Sequence, residues 1–183
     1  MGAIRPPRHV KLVVGMLSGD VDLLAESARR LRKHFGDVDL RSDVWPFTTT
    51  DYYEAELGDD VKRQFVSFGE LIAPDRLSEI KRTTNDLEAA IAEDLALPPG
   101  SRPVNLDPGY VTLSKFVLAT TKDYSHRVYL SHGIYAEMTL RYESGGWSPW
   151  PWTYPDYAAA TYRPFFDAVR ERLKEQYRAQ LDG

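Results

Sequence analysis

The 183-residue chain is 43% hydrophobic and 27% charged, enough apolar material for one substantial core and too much for a disordered polymer. Its net charge of -4 excludes the overall basic field that drives non-specific nucleic-acid binding, so DNA is not an expected partner. With no cysteine, it has no disulfide, no thiolate nucleophile and no cysteine-bound zinc or iron–sulfur centre.

Residues 1–9 are polar, hold two prolines and lack an apolar signal core. They read as a flexible tail on a single domain spanning 1–183. No run is long enough to span a bilayer, and the expected location is the cytoplasm. Residues 10–17 form a short, β-branched apolar run that predicts a buried first strand. Asp20 can cap a helix, and Val21, Leu24, Ala28, Leu31 and Phe35 recur at helical spacing until Gly36 stops the pattern. Residues 38–47 read as extended, 48–53 as a polar aromatic loop or strand, and 58–60 as a turn. The next strand covers 61–72. Pro74 then opens a second helix, whose apolar stripe is Leu77, Ile80, Thr84, Leu87 and Ile91.

Beyond Pro98-Pro99-Gly100 comes a Pro-Gly pair at 108–109, and then a buried strand at 116–119. Segments 127–130 and 134–142 read as two strands joined by a tight turn at His132-Gly133. The second alternates, with Ile134, Ala136, Met138 and Leu140 on one face and Tyr135, Glu137, Thr139 and Arg141 on the other. Residues 145–156 read as an ordered aromatic loop and 161–180 as a closing amphipathic helix. The order β-α-β-β-α-β, then a hairpin, then a helix predicts an α+β fold. It is a ferredoxin-like βαββαβ core with an added C-terminal β-hairpin and helix. Its parallel pairing would use right-handed crossovers, with helices 21–35 and 75–95 on one face.

The site residues cluster between Asn105 and Glu137. In Asn105-Leu106-Asp107-Pro108-Gly109-Tyr110, the Pro-Gly pair predicts a sharp turn after Asp107. Asn105 and Asp107 then lie on one side, either bonding their own backbone as an Asx turn or facing a ligand. The stretch from Thr120 to Arg127 concentrates Lys122, Asp123, His126 and Arg127, which suits either a solvated turn or an anion and proton-transfer site. Lys115, Tyr110 and Tyr135 flank it. A bend at 122–126 would carry His126 toward Asp107 and leave Arg127 to pair with an acid or an anion. The aromatic run from Trp147 to Tyr157 reads as a loop packed on the domain's own core. The alternative is a cover or a homo-oligomer contact, with Trp152 and Tyr154 toward the ligand. Trp45, Tyr52 and Tyr53 are similar on the other side. The chain has no P-loop, no dinucleotide GxGxxG, no nucleophile elbow and no HExxH, and its four histidines are not spaced as a zinc set.

Four strings, 65–72 (FVSFGELI), 105–110 (NLDPGY), 121–127 (TKDYSHR) and 152–157 (WTYPDY), resemble the bacterial and archaeal family of domains of unknown function DUF 4416, across nearly the whole chain. The resemblance implies a small stand-alone cytoplasmic domain and names no chemistry. A GTP-binding label borne by some members has no Walker motif behind it here.

The leading expectation is a small-molecule or nucleotide-phosphate site, with His126 as acid or base, Asp107 and Glu137 as catalytic carboxylates, and Lys115, Lys122 and Arg127 on phosphate oxygens. Asn105, Tyr110, Asp123, Tyr135, Trp152 and Tyr154 complete its lining. Any metal there would be Mg²⁺ on Asp107 and Glu137. Two alternatives compete. One is an RNA-binding module stacking bases on Tyr110, Tyr124, Tyr129 and Tyr135, and the other a non-catalytic partner or assembly protein using the aromatic loop.

Overall fold

The computed structural model describes residues 2–48, 57 and 60–181. It is an α+β structure in which nine strands among these described residues join one antiparallel sheet. In chain order the elements are β1 (Val10–Ser18), α1 (Val21–Phe35), β2 (Val38–Arg41), β3 (Trp45–Pro46), β4 (Lys62–Ile72), α2 (Leu77–Asp94), β5 (Asn105–Val111), β6 (Lys115–Thr120), β7 (Arg127–Ser131), β8 (Ile134–Glu143), β9 (Gly146–Pro149), the short α3 (Pro155–Ala158) and α4 (Arg163–Ala179). The main path of the sheet is β2-β4-β1-β5-β6-β8-β7, with β3 beside β4 and β9 beside β8. Every described ladder is antiparallel, so the expected parallel pairing does not occur.

Alternation along β1 divides the core in two. Leu12, Val14 and Met16 face α1 and α2, meeting Leu24, Ala28, Leu31, Ile80 and Ile91 together with Val66, Phe68 and Leu106. Both helices therefore cover one face, as their apolar stripes require. Val13 points the other way, into a second layer with Phe65, Val111, Phe116 and the α4 residues Phe165, Phe166 and Val169. Asp20 caps α1 by accepting from Asp22 N at 2.8 Å. The β7–β8 hairpin turns on His132 (φ 54°) and Gly133 (φ 75°), the left-handed pair that such a turn demands. Arg8 and His9 lie against α4: the Arg8 guanidinium sits over the Tyr177 ring, whose hydroxyl donates to His9 O.

Three expectations are corrected. Residues 105–111 do not turn at Pro108-Gly109; they form β5, paired along its length with β1. Gly109 is needed for closeness and not for a left-handed bend, because a Cβ there would lie 2.5 Å from Val117 O. The alternation along β8 breaks at Thr139, which the β6 ladder skips, passing from Leu140 to Met138. This bulge leaves Glu137, Thr139 and Leu140 buried and Met138 exposed, whereas strict alternation put Met138 and Leu140 on one face. The aromatic loop contains an unforeseen strand, β9, whose Trp147 is buried. Tyr52, Tyr53 and Gly58 lie outside the described residues.

Candidate functional site

A break in the sheet makes the site. The β5–β6 ladder registers only Gly109–Val111 with Phe116–Leu118. Pro108, the next residue, has no N–H with which to continue it. Beyond that point the strands part, and Asn105 and Asp107 face Ala119, Thr120 and Thr121 across a cleft of about 580 Å³. Helix α2 supplies the missing ladder. Glu88 Oε1 accepts from Leu106 N at 2.6 Å, and Lys81 Nζ donates to Leu106 O at 2.9 Å. Lys81 and Glu88 are buried although charged, and satisfying a strand edge explains why α2 carries them on its packed face.

The same side chains organise the cleft floor. Lys81 Nζ also donates to Asp107 Oδ1 at 3.2 Å, and Asn105 Nδ2 donates to Asp107 Oδ2 at 2.5 Å. Arg102 binds Glu88 Oε2 at 2.9 Å and also reaches Asn105 Oδ1. Burial pushes the Asp107 carboxyl up, but the positive charges of Lys81 and Arg63 more than reverse this. Helped by the Asn105 amide, they hold it below its ordinary value. Burial outweighs Lys81 and Arg102 at Glu88, whose carboxyl is raised.

At the inner wall Arg63 Nη2 donates to Asp156 Oδ2 at 2.9 Å, with side chains 3% and 7% exposed. Arg63 Nη1 and the Tyr157 hydroxyl are buried and have no hydrogen-bond partner among the described residues. Both pack against Gly15 together with the Phe65 ring: a Cβ there would lie 2.9 Å from Nη1, 2.9 Å from Phe65 Cε1 and 3.1 Å from the hydroxyl, so only glycine admits this packing. Burial raises the Asp156 carboxyl despite Arg63 beside it, and it pushes the Tyr157 phenol well above its ordinary value.

The opposite wall is built differently. Arg127 Nε donates to Glu137 Oε2 at 2.8 Å, Nη1 to Lys122 O at 3.0 Å and Nη2 to the Tyr154 hydroxyl at 3.1 Å. Its guanidinium also lies 4.5 Å from the Tyr124 ring centroid. From Tyr124 a stack runs outward through His126, Trp152 and Trp150 at centroid spacings of 6.0, 5.4 and 5.2 Å, ending on Arg141. His126 Nε2 lies 3.1 Å from Glu137 Oε2.

Of the residues picked from the sequence, Asn105, Asp107, Lys122, Arg127, Glu137 and Tyr154 line the cleft. His126 bonds Glu137 within the stack and is not among the residues that line the cleft with Asp107, whereas Arg127 is. Trp152 is in the same stack, its Nε1 donating to Met138 O. Tyr110 packs with the α1/α2 core, Lys115 pairs with Arg141 at the far end of β6, Asp123 is exposed, and Tyr135 packs edge-on against Tyr129. Of the four tyrosines considered for base stacking, Tyr129 and Tyr135 meet edge to face, Tyr124 stacks with His126 and Tyr110 packs with the α1/α2 core. Asp107 and Glu137 each accept from cations, and among the described residues no group of three His, Asp or Glu side chains is placed to hold a metal.

Sequence reasoning missed Arg63, Lys81, Arg102, Asp156 and Tyr157. Two signals were present. Arg63 is in phase with Phe65 along β4, and Lys81 and Glu88 stand seven apart beside the α2 stripe, where a solvated charge does not belong.

The chain matches no curated protein and no solved structure. It belongs to the family described as "Domain of unknown function (DUF4416)", whose model matches residues 8–173. Among the described residues no helix is long and apolar enough to cross a membrane.

Proposed function

We propose that this DUF4416 member uses the β5–β6 cleft to bind a small anionic molecule. One observation carries the reading: Arg63, Lys81, Arg102, Lys122 and Arg127 line the cleft against three carboxylates, Asp107, Glu137 and Asp156. With Glu88 behind Arg102 counted, cations still lead. The field favours a negative ligand, and the volume suits a small organic body. A cytoplasmic protein meeting a soluble metabolite fits a chain without cysteine.

In this reading Asp107 is a counter-charge that orients Lys81, not a Mg²⁺ ligand. Asp107→Asn separates the two roles. It should tighten anion binding several-fold, read by thermal shift and calorimetry over a panel of phosphorylated and carboxylated metabolites with and without Mg²⁺. A ligand at a hundred times its Kd stabilises by about 2.7 kcal/mol. Loss of a Mg²⁺-dependent shift in the variant would instead make Asp107 a metal ligand.

We also read strands β2-β4-β1-β5 with α1 and α2 as a ferredoxin-like unit, extended by β6 to β9 and α4. The strand order and the shared helix face support this.

A further inference from the structure

We infer that the anion taken by this cleft is the C-terminal carboxylate of a short peptide, whose amides lie along β6 and complete its open edge. The inference rests on the anion-binding reading above and names its ligand class. It follows from the alternation of the β5–β6 ladder. Thr112 N donates to Lys115 O at 2.8 Å, and the same register pairs Tyr110 with Val117. Every second residue of β6 therefore turns its N–H and C=O toward β5, and Ala119 and Thr121 follow Val117 in that series. The register sets them opposite Pro108 and Leu106. Pro108 has no N–H to offer Ala119 O. Leu106 gives its N–H to Glu88 and its carbonyl to Lys81, so it offers Thr121 neither. Helix α2 completes the β5 side of the break and leaves the β6 side open.

Ala119 and Thr121 both line the cleft. The Ala119 methyl packs with Leu77, Val117 and Ile134 under α2, so what Ala119 presents to the cleft is its main chain. One acceptor (Ala119 O), one donor (Thr121 N–H) and a second acceptor (Thr121 O) then follow along a single edge. A bare carboxylate or phosphate answers only the donor. An added strand answers all three, and its N–H groups must stand two residues apart, which calls for at least three residues. The charge is met separately. Lys81 Nζ has three protons and spends two of them among the described residues, on Leu106 O and Asp107 Oδ1. The third is left for the ligand carboxylate. Phe47, Leu118 and Pro155 give the peptide an apolar wall.

The test is calorimetry with N-acetyl-trialanine, its C-terminal methylamide, the analogue with esters in place of its first and third amides, and succinate. The acetyl peptide should bind tightest. The ester analogue keeps the charge but loses the donors, and should bind about tenfold more weakly or worse, because buried acceptors are left unmade. The methylamide keeps the donors, loses the charge and should weaken at least as much. Pro108→Ala restores an N–H opposite Ala119 O, so the ladder can extend into the cleft. It should weaken the acetyl peptide about tenfold and leave succinate unchanged, with folding checked by urea denaturation. In the wild type, bound acetyl peptide should slow hydrogen exchange of the Thr121 amide, a readout that stands even where Pro108→Ala does not fold. Equal affinity for the peptide and its ester analogue, tighter binding of succinate, unchanged Thr121 exchange, or unchanged peptide affinity in folded Pro108→Ala overturns the peptide assignment and leaves an anion site. A methylamide that binds as tightly as the acid, or no binding by any of the four probes, overturns both readings.

Discussion

Two buried arginine–carboxylate pairs face each other across the cleft, and they are finished to different degrees. Arg127 spends every nitrogen: on Glu137, on the Lys122 carbonyl and on the Tyr154 hydroxyl, with Tyr124 stacked on its plane. Arg63 donates to Asp156 through Nη2, leaves Nε and Nη1 without a hydrogen-bond partner among the described residues, and sits among the Phe47, Phe65 and Tyr157 rings. Burying a charge is tolerable when its hydrogen bonds are complete and costly when they are not. The Arg127 pair is therefore a clamp that closes the chain between β6 and β7. The Arg63 pair is buried with its hydrogen bonds incomplete, which costs stability at the inner wall of the cleft.

The largest expected effect tests the clamp. Glu137→Ala strands the Arg127 charge, 2% exposed, and should cost about 3–5 kcal/mol of stability by urea denaturation. A cost below about 1 kcal/mol, the range of surface pairs, would mean that Arg127 finds solvent and the clamp is loose.

Arg63→Met tests the other pair and should cost less, about 1–3 kcal/mol at neutral pH, because it removes an unsatisfied donor along with the charge. It should also abolish the ligand-induced thermal shift. The stability loss should depend on pH in a definite direction. Burial already raises the Asp156 carboxyl, and without Arg63 nothing opposes that burial as strongly. A raised carboxyl supports the fold below its unfolded value and undermines it as pH rises through the folded value. The variant should therefore lag the wild type more at pH 8 than at pH 5 in paired denaturation curves. An equal gap at both would mean that Asp156 finds another cation.

The two pairs also differ in how far the sequence announces them. Arg127 and Glu137 stand in a dense polar run and on an alternating strand, and both are legible as pattern. The helices α1, α2 and α4 and most strands are legible from period and breakers in the same way. Arg63 and Asp156 are 93 positions apart, and only the folded sheet brings them together. The cleft itself is hidden because Pro108-Gly109 carries a turn signal. Here the proline ends a ladder and the glycine lets two strands touch, so a turn pattern marks the point where the sheet opens. The Thr139 bulge escapes for a related reason: one extra residue reverses the faces of a strand, and the hydrophobic pattern of 134–142 reads acceptably in either phase.

The smallest expected effect concerns His126, whose position separates the clamp from the site. Its side chain is 21% exposed, bonds Glu137 and is not part of the cleft lining. It is also one slat in the stack between Tyr124 and Trp152. Removing it should loosen the clamp and leave the ligand alone. His126→Ala deletes two stacking contacts and one hydrogen bond, but Arg127 still satisfies Glu137, so the cost should be only about 1–2 kcal/mol. His126→Phe keeps the stack and loses the hydrogen bond, and should recover about half of that. Anion affinity, measured with the same metabolite panel, should stay within about twofold in both variants, since His126 does not itself line the cleft and reaches it only through Glu137 and Tyr124. A tenfold loss of affinity in His126→Ala without loss of stability would extend the binding surface past Glu137 to the stack. The histidine would then be part of the site and not of its support.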